Sequence, residues 1–421
     1  MLLIGGGGRE HALAWKLRQS AHCEALYAAP GNAGIAQVAE CVPIAAKAIP
    51  DIVAFAKHNA IDLVVVGPES PLIAGLADAL QEARIPCFGP ARAAAQLEGS
   101  KAFAKQILAS VNAPTAPFAV FDDPDMAQAY LRTRFPERPC VVKADGEALG
   151  KGVFVCETLS DALDAVAFLM VERGLGAAGA RIVIEDRLYG REMSLLCLTD
   201  GQTAAPMPPV RDYKRALDGD RGPNTGGMGC YTPLPDATPE LIATAMHQIV
   251  HPVIREMARR GTPYRGVLYA GLMIHDHQPY TLEFNCRFGD PETQVLMPLL
   301  ESDLVELALA TIEGTLHETP MHFAPRAAVC VVLASGGYPH EYRTGVPIEG
   351  LEEATQSLQG VIFHAGTRAE GGRIVTAGGR VLNIVGLGDT LAQARENAYR
   401  AVRQIHFEGM HYREDIAALD G

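Results

Sequence analysis

Paired cysteines, long apolar runs and an excess of basic residues are all missing from this 421-residue sequence. Its nine cysteines are scattered singly from Cys23 to Cys330, without a C-x-x-C pair or the ligand spacing of a zinc site. They read as reduced, mostly buried small residues. No apolar run approaches the roughly 18 residues of a membrane span. Met1, Leu2, Leu3 and Ile4 run straight into four glycines, with neither a basic n-region nor a useful h-region, so no signal peptide is expected. The formal net charge of −13 argues against a general nucleic-acid or anionic-membrane binder, because such proteins depend on Lys/Arg excess. These absences point to a cytoplasmic protein with no nucleic-acid or membrane partner, in which any anionic ligand is held by a local cluster.

What is present is concentrated in one stretch, residues 281–292. Leu282, Phe284, Cys286 and Phe288 alternate with Glu283, Asn285 and Arg287, a period of two that sends the apolar set of an extended strand into a core. The other face then carries a carboxylate, an amide oxygen and a guanidinium in a row. Carboxylate and amide oxygens are hard ligands of the kind Mg²⁺ takes, and a guanidinium forks onto carboxylates or phosphates. An amphipathic strand with a solvated polar face gives the same pattern. The sharp stop at Gly289, with Asp290 and Glu292 adding two carboxylates, shifts the reading toward a metal and anion site.

In chain order, residues 2–4 read as a strand, the glycines 5–8 as a turn and residues 9–20 as an amphipathic helix. A glycine turn feeding a helix N-terminus is an anion site. A dinucleotide fold is rejected: the third glycine of G-x-G-x-x-G falls on Glu10, and the second strand, 24–28, ends without the acidic residue that binds a ribose. Further turns at 30–34 and 66–72 follow the second and third strands. In an open parallel sheet such carboxyl-end loops meet in one crevice, which suggests a small phosphorylated substrate.

Ser100 is a natural N-cap for a helix begun by residues 96–105, on which Lys101 and Lys105 read as a solvated stripe. From 114 to 188 the pattern is strand, helix (123–135), strand (140–143), loop, strand (153–156), helix (159–173) and strand (181–185). The glycine-rich loop 144–152 joins two strands, so it is no Walker A loop, and with Lys143 at its base and Lys151 near its tip it suits a lid over triphosphate oxygens. Residues 182–192 run from an apolar strand into a hinge suited to adenine, with Glu192 placed for a ribose hydroxyl. Residues 222–229 read as an irregular loop, 266–273 as a strand that pairs with the 281–292 stretch, and 303–313 as a closing helix. Residues 320–421 look like a separate small domain with strands at 327–333, 360–365, 373–376 and 380–386 and a helix at 390–405, packed on the first domain and without catalytic residues of its own.

Seven segments in this order resemble the phosphoribosylamine-glycine ligase family of ATP-grasp enzymes: Gly-Gly-Arg-Glu-His-Ala (7–12), Pro-Gly-Asn-Ala-Gly (30–34), Val-Gly-Pro-Glu (66–69), Leu-Glu-Gly-Ser-Lys (97–101), Lys-Ala-Asp-Gly (143–146), Gly-Pro-Asn-Thr-Gly-Gly-Met-Gly (222–229) and Glu-Phe-Asn-Cys-Arg-Phe-Gly-Asp-Pro-Glu (283–292). The resemblance implies an α/β architecture with an N-terminal open parallel-sheet domain (1–102), ATP-grasp central domains with a mobile lid (103–319, lid about 116–188) and a small β-rich C-terminal domain (320–421). It implies ATP-dependent joining of glycine to 5-phosphoribosylamine through a glycyl phosphate, in purine biosynthesis, by a monomer using Mg²⁺ or Mn²⁺. Glu283 and Asn285 are then metal ligands, and Lys105, Lys143, Lys151, Glu185, Leu188 and Glu192 bind ATP. Arg287 and Asp212 grip glycine by its carboxylate and ammonium, with Lys214 beside them in the catalytic set. Gly7, Gly8, Asn32 and Glu69 cradle the ribose phosphate.

The chain departs from the family pattern at Glu147 and Leu149 in the lid, and reads Arg211-Asp212-Tyr213-Lys214-Arg215 where the family has Gln-Asp-His-Lys-Arg. A carboxylate near triphosphate is unfavourable, so Glu147 is expected to face solvent. The alternatives are another ATP-grasp carboxylate-amine ligase of purine biosynthesis, which the 222–229 loop disfavours, and a nucleotide-binding protein without turnover.

Overall fold

The computed structural model describes residues 1–136, 138–146 and 152–418. Leu2–Gly5, Tyr27–Pro30, Glu40–Cys41, Val64–Val66 and Cys87–Phe88 form an all-parallel sheet with Leu2–Gly5 at its centre, flanked by Tyr27–Pro30 and Val64–Val66. The inner strands Leu2–Gly5 and Val64–Val66 are buried throughout, which explains their unbroken apolar runs. The first helix spans Gly8–Leu17, so Gly8 is its first residue and not part of the turn. The second strand lies at Tyr27–Pro30, a few residues later than 24–28.

Residues 96–99 close one helix, Arg92–Gly99, and Ser100 caps the next, Lys101–Ser110, by accepting from Phe103 N–H at 3.0 Å. Beyond it, Phe118–Phe121, Cys140–Ala144, Val153–Cys156 and Ile182–Asp186 make an antiparallel sheet carrying the helices Pro124–Arg134 and Leu159–Val166, the order expected from the pattern. A separate apolar core underlies this subdomain. Glu147 and Lys151 lie outside the described residues.

The central sheet pairs Arg191–Asp200, Arg265–His275 and Gln278–Asn285. The expected pairing of the last two is present, but the alternation is not unbroken. Gly271 pairs with Glu283 while Leu272 pairs with Thr281, so Leu282 is an extra residue in the ladder. The bulge turns Leu282 out of the core and into the same cleft as Glu283 and Asn285. The strand ends at Asn285, leaving Cys286 to Gly289 as a connector.

The 222–229 segment is more regular than its glycines suggest. Arg221–Asn224 pairs with Arg215–Leu217, and Gly229–Thr232 enters a second sheet with Arg211–Asp212. That sheet continues into Ala327–Ala334, Arg380–Gly388 and Gly360–His364, so the C-terminal strands share one ladder with the segment carrying Asp212. Pairing Ala327–Ala334 on both sides leaves it no exposed edge.

The C-terminal part packs on the first helix through two buried histidines. His364 N–H donates to His11 Nδ1 at 2.8 Å, His364 Nδ1 lies 3.0 Å from Thr367 Oγ1, and Phe363 meets the His11 ring edge-on at 5.4 Å. Burial lowers both imidazoles, His11 to about 3 with His364 adding to the effect, and His364 to about 4, from an ordinary 6.5. Above pH 6.5 neither folded nor unfolded chain protonates them. Below it the unfolded chain takes up protons that the folded chain refuses, so stability is lost as pH falls toward 4. Denaturant titrations at pH 7, 6 and 5 are expected to show a loss that steepens as the unfolded histidines charge, approaching about 1.4 kcal/mol per pH unit per histidine between pH 6 and 5, and His364→Leu is expected to remove one histidine's share of the slope.

Candidate active site

One cleft of about 1200 Å³ is lined by all the major parts of the chain. At its base lies a buried ion triad. Lys105 on the Ser100-capped helix and Lys143 on Cys140–Ala144 both pair with Glu185 on Ile182–Asp186, the three residues being only 3, 5 and 2% exposed. Lys105 Nζ also donates to Thr115 Oγ1 at 2.6 Å, and Lys143 Nζ to the Leu282 carbonyl at 3.1 Å. Lys105 therefore belongs to no solvated stripe: the helix turns it inward, where burial lowers its pKa against the pull of Glu185. Burial pushes the Glu185 carboxyl up, but Lys143 and Lys105 outweigh it and hold the group below its usual value. The side chain of Glu185, expected near the nucleotide, acts here by holding two ammonium groups in place.

Leu188 and Glu192 line the cleft beyond the triad, and Glu192 reaches Lys214 Nζ at 3.4 Å. Lys214 Nζ also lies 3.5 Å from Asp212 Oδ2. The other oxygen, Asp212 Oδ1, is buried with no hydrogen-bond partner among the described residues. Burial raises the Asp212 carboxyl to about 7, against Lys214 and with help from Glu292. Gly227, at φ +109°, packs so closely that a Cβ there would stand 2.6 Å from Asp212 Oδ1, so the glycine loop shapes this pocket directly.

Glu283 and Asn285 face the cleft from one side of their strand. Burial raises the Glu283 carboxyl, but Lys214, Lys101 and Lys143 hold it below its usual value, so it is an anion set among cations. A carboxylate and an amide oxygen two residues apart on one face supply the hard donors a divalent ion takes from protein.

Arg287 has its donors engaged elsewhere. Its Nε lies 3.1 Å from Glu69, its Nη2 donates to Glu98 at 2.9 Å and to Asn285 Oδ1 at 3.3 Å, and its Nη1 donates to the Phe288 carbonyl at 3.3 Å. A substrate carboxylate would have to displace one of these partners. Glu69, expected at the ribose, is the other side of this bridge: burial would raise it, but Arg287 and Arg9 hold it at about 2.

The turn at Gly7 and Gly8 differs from an open anion cradle. Glu10 Oε2 accepts the Gly7 N–H at 2.6 Å, so the chain's own carboxylate occupies the donor a phosphate would use. Asn32 is likewise engaged: its Nδ2 donates to the Gly6 and His364 carbonyls, each at 2.9 Å, and its Oδ1 accepts from Gly34 and Ile35 N–H, each at 2.9 Å. It braces the turn against the C-terminal part.

Several charged groups in or near the cleft were given no individual role by the sequence reading. Arg380, from the part expected to lack catalytic residues but to help shape the substrate crevice, lies 3.1 Å from Asp290 Oδ2 and donates to the Asp290 carbonyl at 2.7 Å. Glu292 is buried and accepts from Ser194 Oγ at 3.0 Å and Tyr269 OH at 2.9 Å. Glu98 stood within the Leu-Glu-Gly-Ser-Lys segment, a signal that was available. Glu10 stands three residues after the N-cap Gly7, the position from which an acidic side chain reaches back in a capping box.

Three family models match the chain in succession: the phosphoribosylglycinamide synthetase N domain over residues 1–98, its ATP-grasp (A) domain over 99–293 and its C domain over 328–419. Proteins named phosphoribosylamine–glycine ligase from Rhodopirellula baltica and Vibrio vulnificus are 48% and 50% identical, each over 99% of this chain and 97% of the relative. The crystal structure of a phosphoribosylamine–glycine ligase from Thermotoga maritima, 34% identical, superposes with a TM-score of 0.86 over 99% of both chains. A Campylobacter jejuni biotin carboxylase in an ATP complex shares the fold alone, at 14% identity and a TM-score of 0.73 over 99% of this chain and 93% of its own. With all three domain models in order along one polypeptide, the chain belongs to the phosphoribosylglycinamide synthetase family.

Proposed function

We propose that this chain joins glycine to 5-phosphoribosylamine at the expense of ATP. A glycine carboxylate oxygen attacks the γ-phosphorus and ADP leaves. The amine then attacks the glycyl carbonyl carbon, phosphate departs and the nitrogen loses a proton, giving glycinamide ribonucleotide. The observation that carries this reading is the convergence, in one cleft, of the lysine triad, the Glu283/Asn285 pair and the unpartnered Asp212 oxygen. Lys105 and Lys143, held by Glu185, neutralise charge on phosphate oxygens as it shifts toward the leaving nucleotide. Glu283 and Asn285 would hold a divalent ion, Mg²⁺ or Mn²⁺, which when bound would supply positive charge against the developing charge of the phosphates. Leu188 and Glu192 flank the nucleoside. Asp212 Oδ1 accepts from the glycine ammonium, and Lys214 favours the ionised form of Asp212 against its burial and stands ready for the glycine carboxylate. Arg287 joins this set only by exchanging one carboxylate partner for the substrate.

We further propose a monomeric, cytoplasmic enzyme that acts on small molecules without a nucleic-acid or membrane partner. Support comes from the net charge of −13 and from nine free thiols. No helix among the described residues is long and apolar enough to cross a membrane.

ADP release should require glycine and phosphoribosylamine together, and hydroxylamine in place of the amine should trap glycyl hydroxamate. ADP release unaffected by omitting glycine would overturn the assignment. Asp212→Asn is expected to raise the KM for glycine about 10- to 100-fold, the worth of a hydrogen bond to a charged group, with the KM for ATP little changed. Since the Asp212 carboxyl sits at about 7, it is protonated below that pH and loses its hold on an ammonium. The kcat/KM for glycine should therefore fall on the acid side of about pH 7, and Asp212→Asn should flatten that limb.

A further inference from the structure

Asp212 and Lys214 lie on a short segment that the far end of the chain holds down. Residues 411–418 cross back over 213–219 after the last helix, Leu391–Val402. Arg413 is 1% exposed, its guanidinium lies 4.8 Å over the Tyr213 ring, and its Nη1 donates to the Arg215 carbonyl at 3.0 Å. Asp415 fixes that guanidinium through two bonds of 2.7 Å and accepts from Gly219 N–H at 2.8 Å. Ala417 N–H donates to the Tyr213 hydroxyl at 3.1 Å. On its inner side Tyr213 is locked by its own backbone, whose N–H donates to the Gly229 carbonyl at 2.9 Å and whose carbonyl accepts from Met228 N–H at 2.8 Å. Tyr213 thus sits clamped between the glycine loop and the C-terminal segment, and its two chain neighbours are Asp212 and Lys214.

We infer that residues 411–418 form a positioning strap, which acts through Tyr213 to hold Asp212 and Lys214 at the glycine end of the cleft. The inference rests on the reading of Asp212 as the partner of the glycine ammonium. The hydroxyl at the far end of the Tyr213 ring is the atom that accepts the Ala417 N–H. Arg413 and Asp415 line the cleft as well, so the strap is part of its wall and not a remote brace.

The test uses the full chain with Tyr213→Phe, Arg413→Met and Asp212→Asn in parallel, measuring KM for glycine at saturating ATP, KM for ATP at saturating glycine, and the thermal midpoint. Tyr213→Phe removes one hydroxyl and keeps the ring, so the fold is expected to survive it. The expected result is a rise of about 3- to 10-fold in the glycine KM for Tyr213→Phe, from the loss of one hydrogen bond, and a larger rise for Arg413→Met, with the ATP KM within about twofold in Tyr213→Phe. If Asp212→Asn raises the glycine KM and Tyr213→Phe does not, the strap does not position the pair. Parallel rises in both KM values would assign Tyr213 a merely structural role and also overturn the inference. An Asp212→Asn enzyme with unchanged glycine KM would remove the reading beneath it, and the inference with it.

Discussion

Glu283→Gln is expected to lower kcat/KM for ATP by about 100- to 1,000-fold, the scale of removing one pre-organised electrostatic contact from an active site. The substitution keeps the size of the side chain and its place on Gln278–Asn285, so the strand and its bulge at Leu282 remain. What changes is charge. In the native cleft the Glu283 carboxylate faces Lys214, Lys101 and Lys143. Removing it takes a hard anionic donor from the proposed divalent-ion site and leaves those lysines with one counter-charge fewer. Two opposite effects follow. Binding of ATP together with Mg²⁺ should weaken, whereas metal-free ATP, tested in the presence of a chelator, should bind the variant more tightly than the parent. Titration of nucleotide with and without Mg²⁺ separates the two. A variant within about threefold of the parent in both turnover and metal dependence would sink the assignment of Glu283 as a ligand.

The second large effect concerns Glu185. Breaking a buried ion cluster by removing its only carboxylate costs about 3–5 kcal/mol, and Glu185→Gln leaves Lys105 and Lys143 facing each other in a site nearly closed to water. The destabilisation is expected in denaturant titrations at neutral pH. ATP should restore more stability to the variant than to the parent, because its phosphates supply the missing negative charge. The pH dependence has a definite sign. The folded-state carboxyl lies below its ordinary 4.5, so its contribution is complete above about pH 4.5 and is lost as the pH falls through the folded value. The variant lacks this acid limb. Equal stability of parent and variant at pH 7, or no differential rescue by ATP, would show that the triad is not held together by charge.

Much of this molecule was legible locally. The strands Cys140–Ala144 and Val153–Cys156 follow from short apolar runs, and the helix between Asp123 and Phe135 from its Asp123 cap. The Asp303 cap of Leu304–Glu313 and the Ser100 cap of Lys101–Ser110 could be read directly, since a side-chain oxygen meets a backbone N–H two or three residues on. Glu283 and Asn285 share a face because residues two apart in a strand always do. The reach of Glu10 back to Gly7 was equally local and went unread, and with it the reason the glycine turn is not an open phosphate cradle.

The bulge at Leu282 was not legible in the same way. It depends on the partner strand, where Gly271 and Leu272 take Glu283 and Thr281 and leave one residue over. Arg380 illustrates the limit further: nothing around it distinguishes it from a surface arginine at the start of a strand. Only the shared sheet of Arg211–Asp212, Gly229–Thr232 and the C-terminal strands brings it to Asp290.

The sequence alone determined the order and kind of most elements outside 222–229, the Ser100 cap, the common face of the two oxygen donors and the seven family segments. Tertiary structure decided the pairing of charges: Lys105 and Lys143 on Glu185, Arg287 between Glu69 and Glu98, Asn32 spent as a brace, and Arg413 stacked on Tyr213. The physical reason is range. Alternation and capping are set by backbone angles within a few residues, whereas a charged side chain is locally indifferent to its partner and finds it only when the topology brings two distant segments together and excludes water from between them.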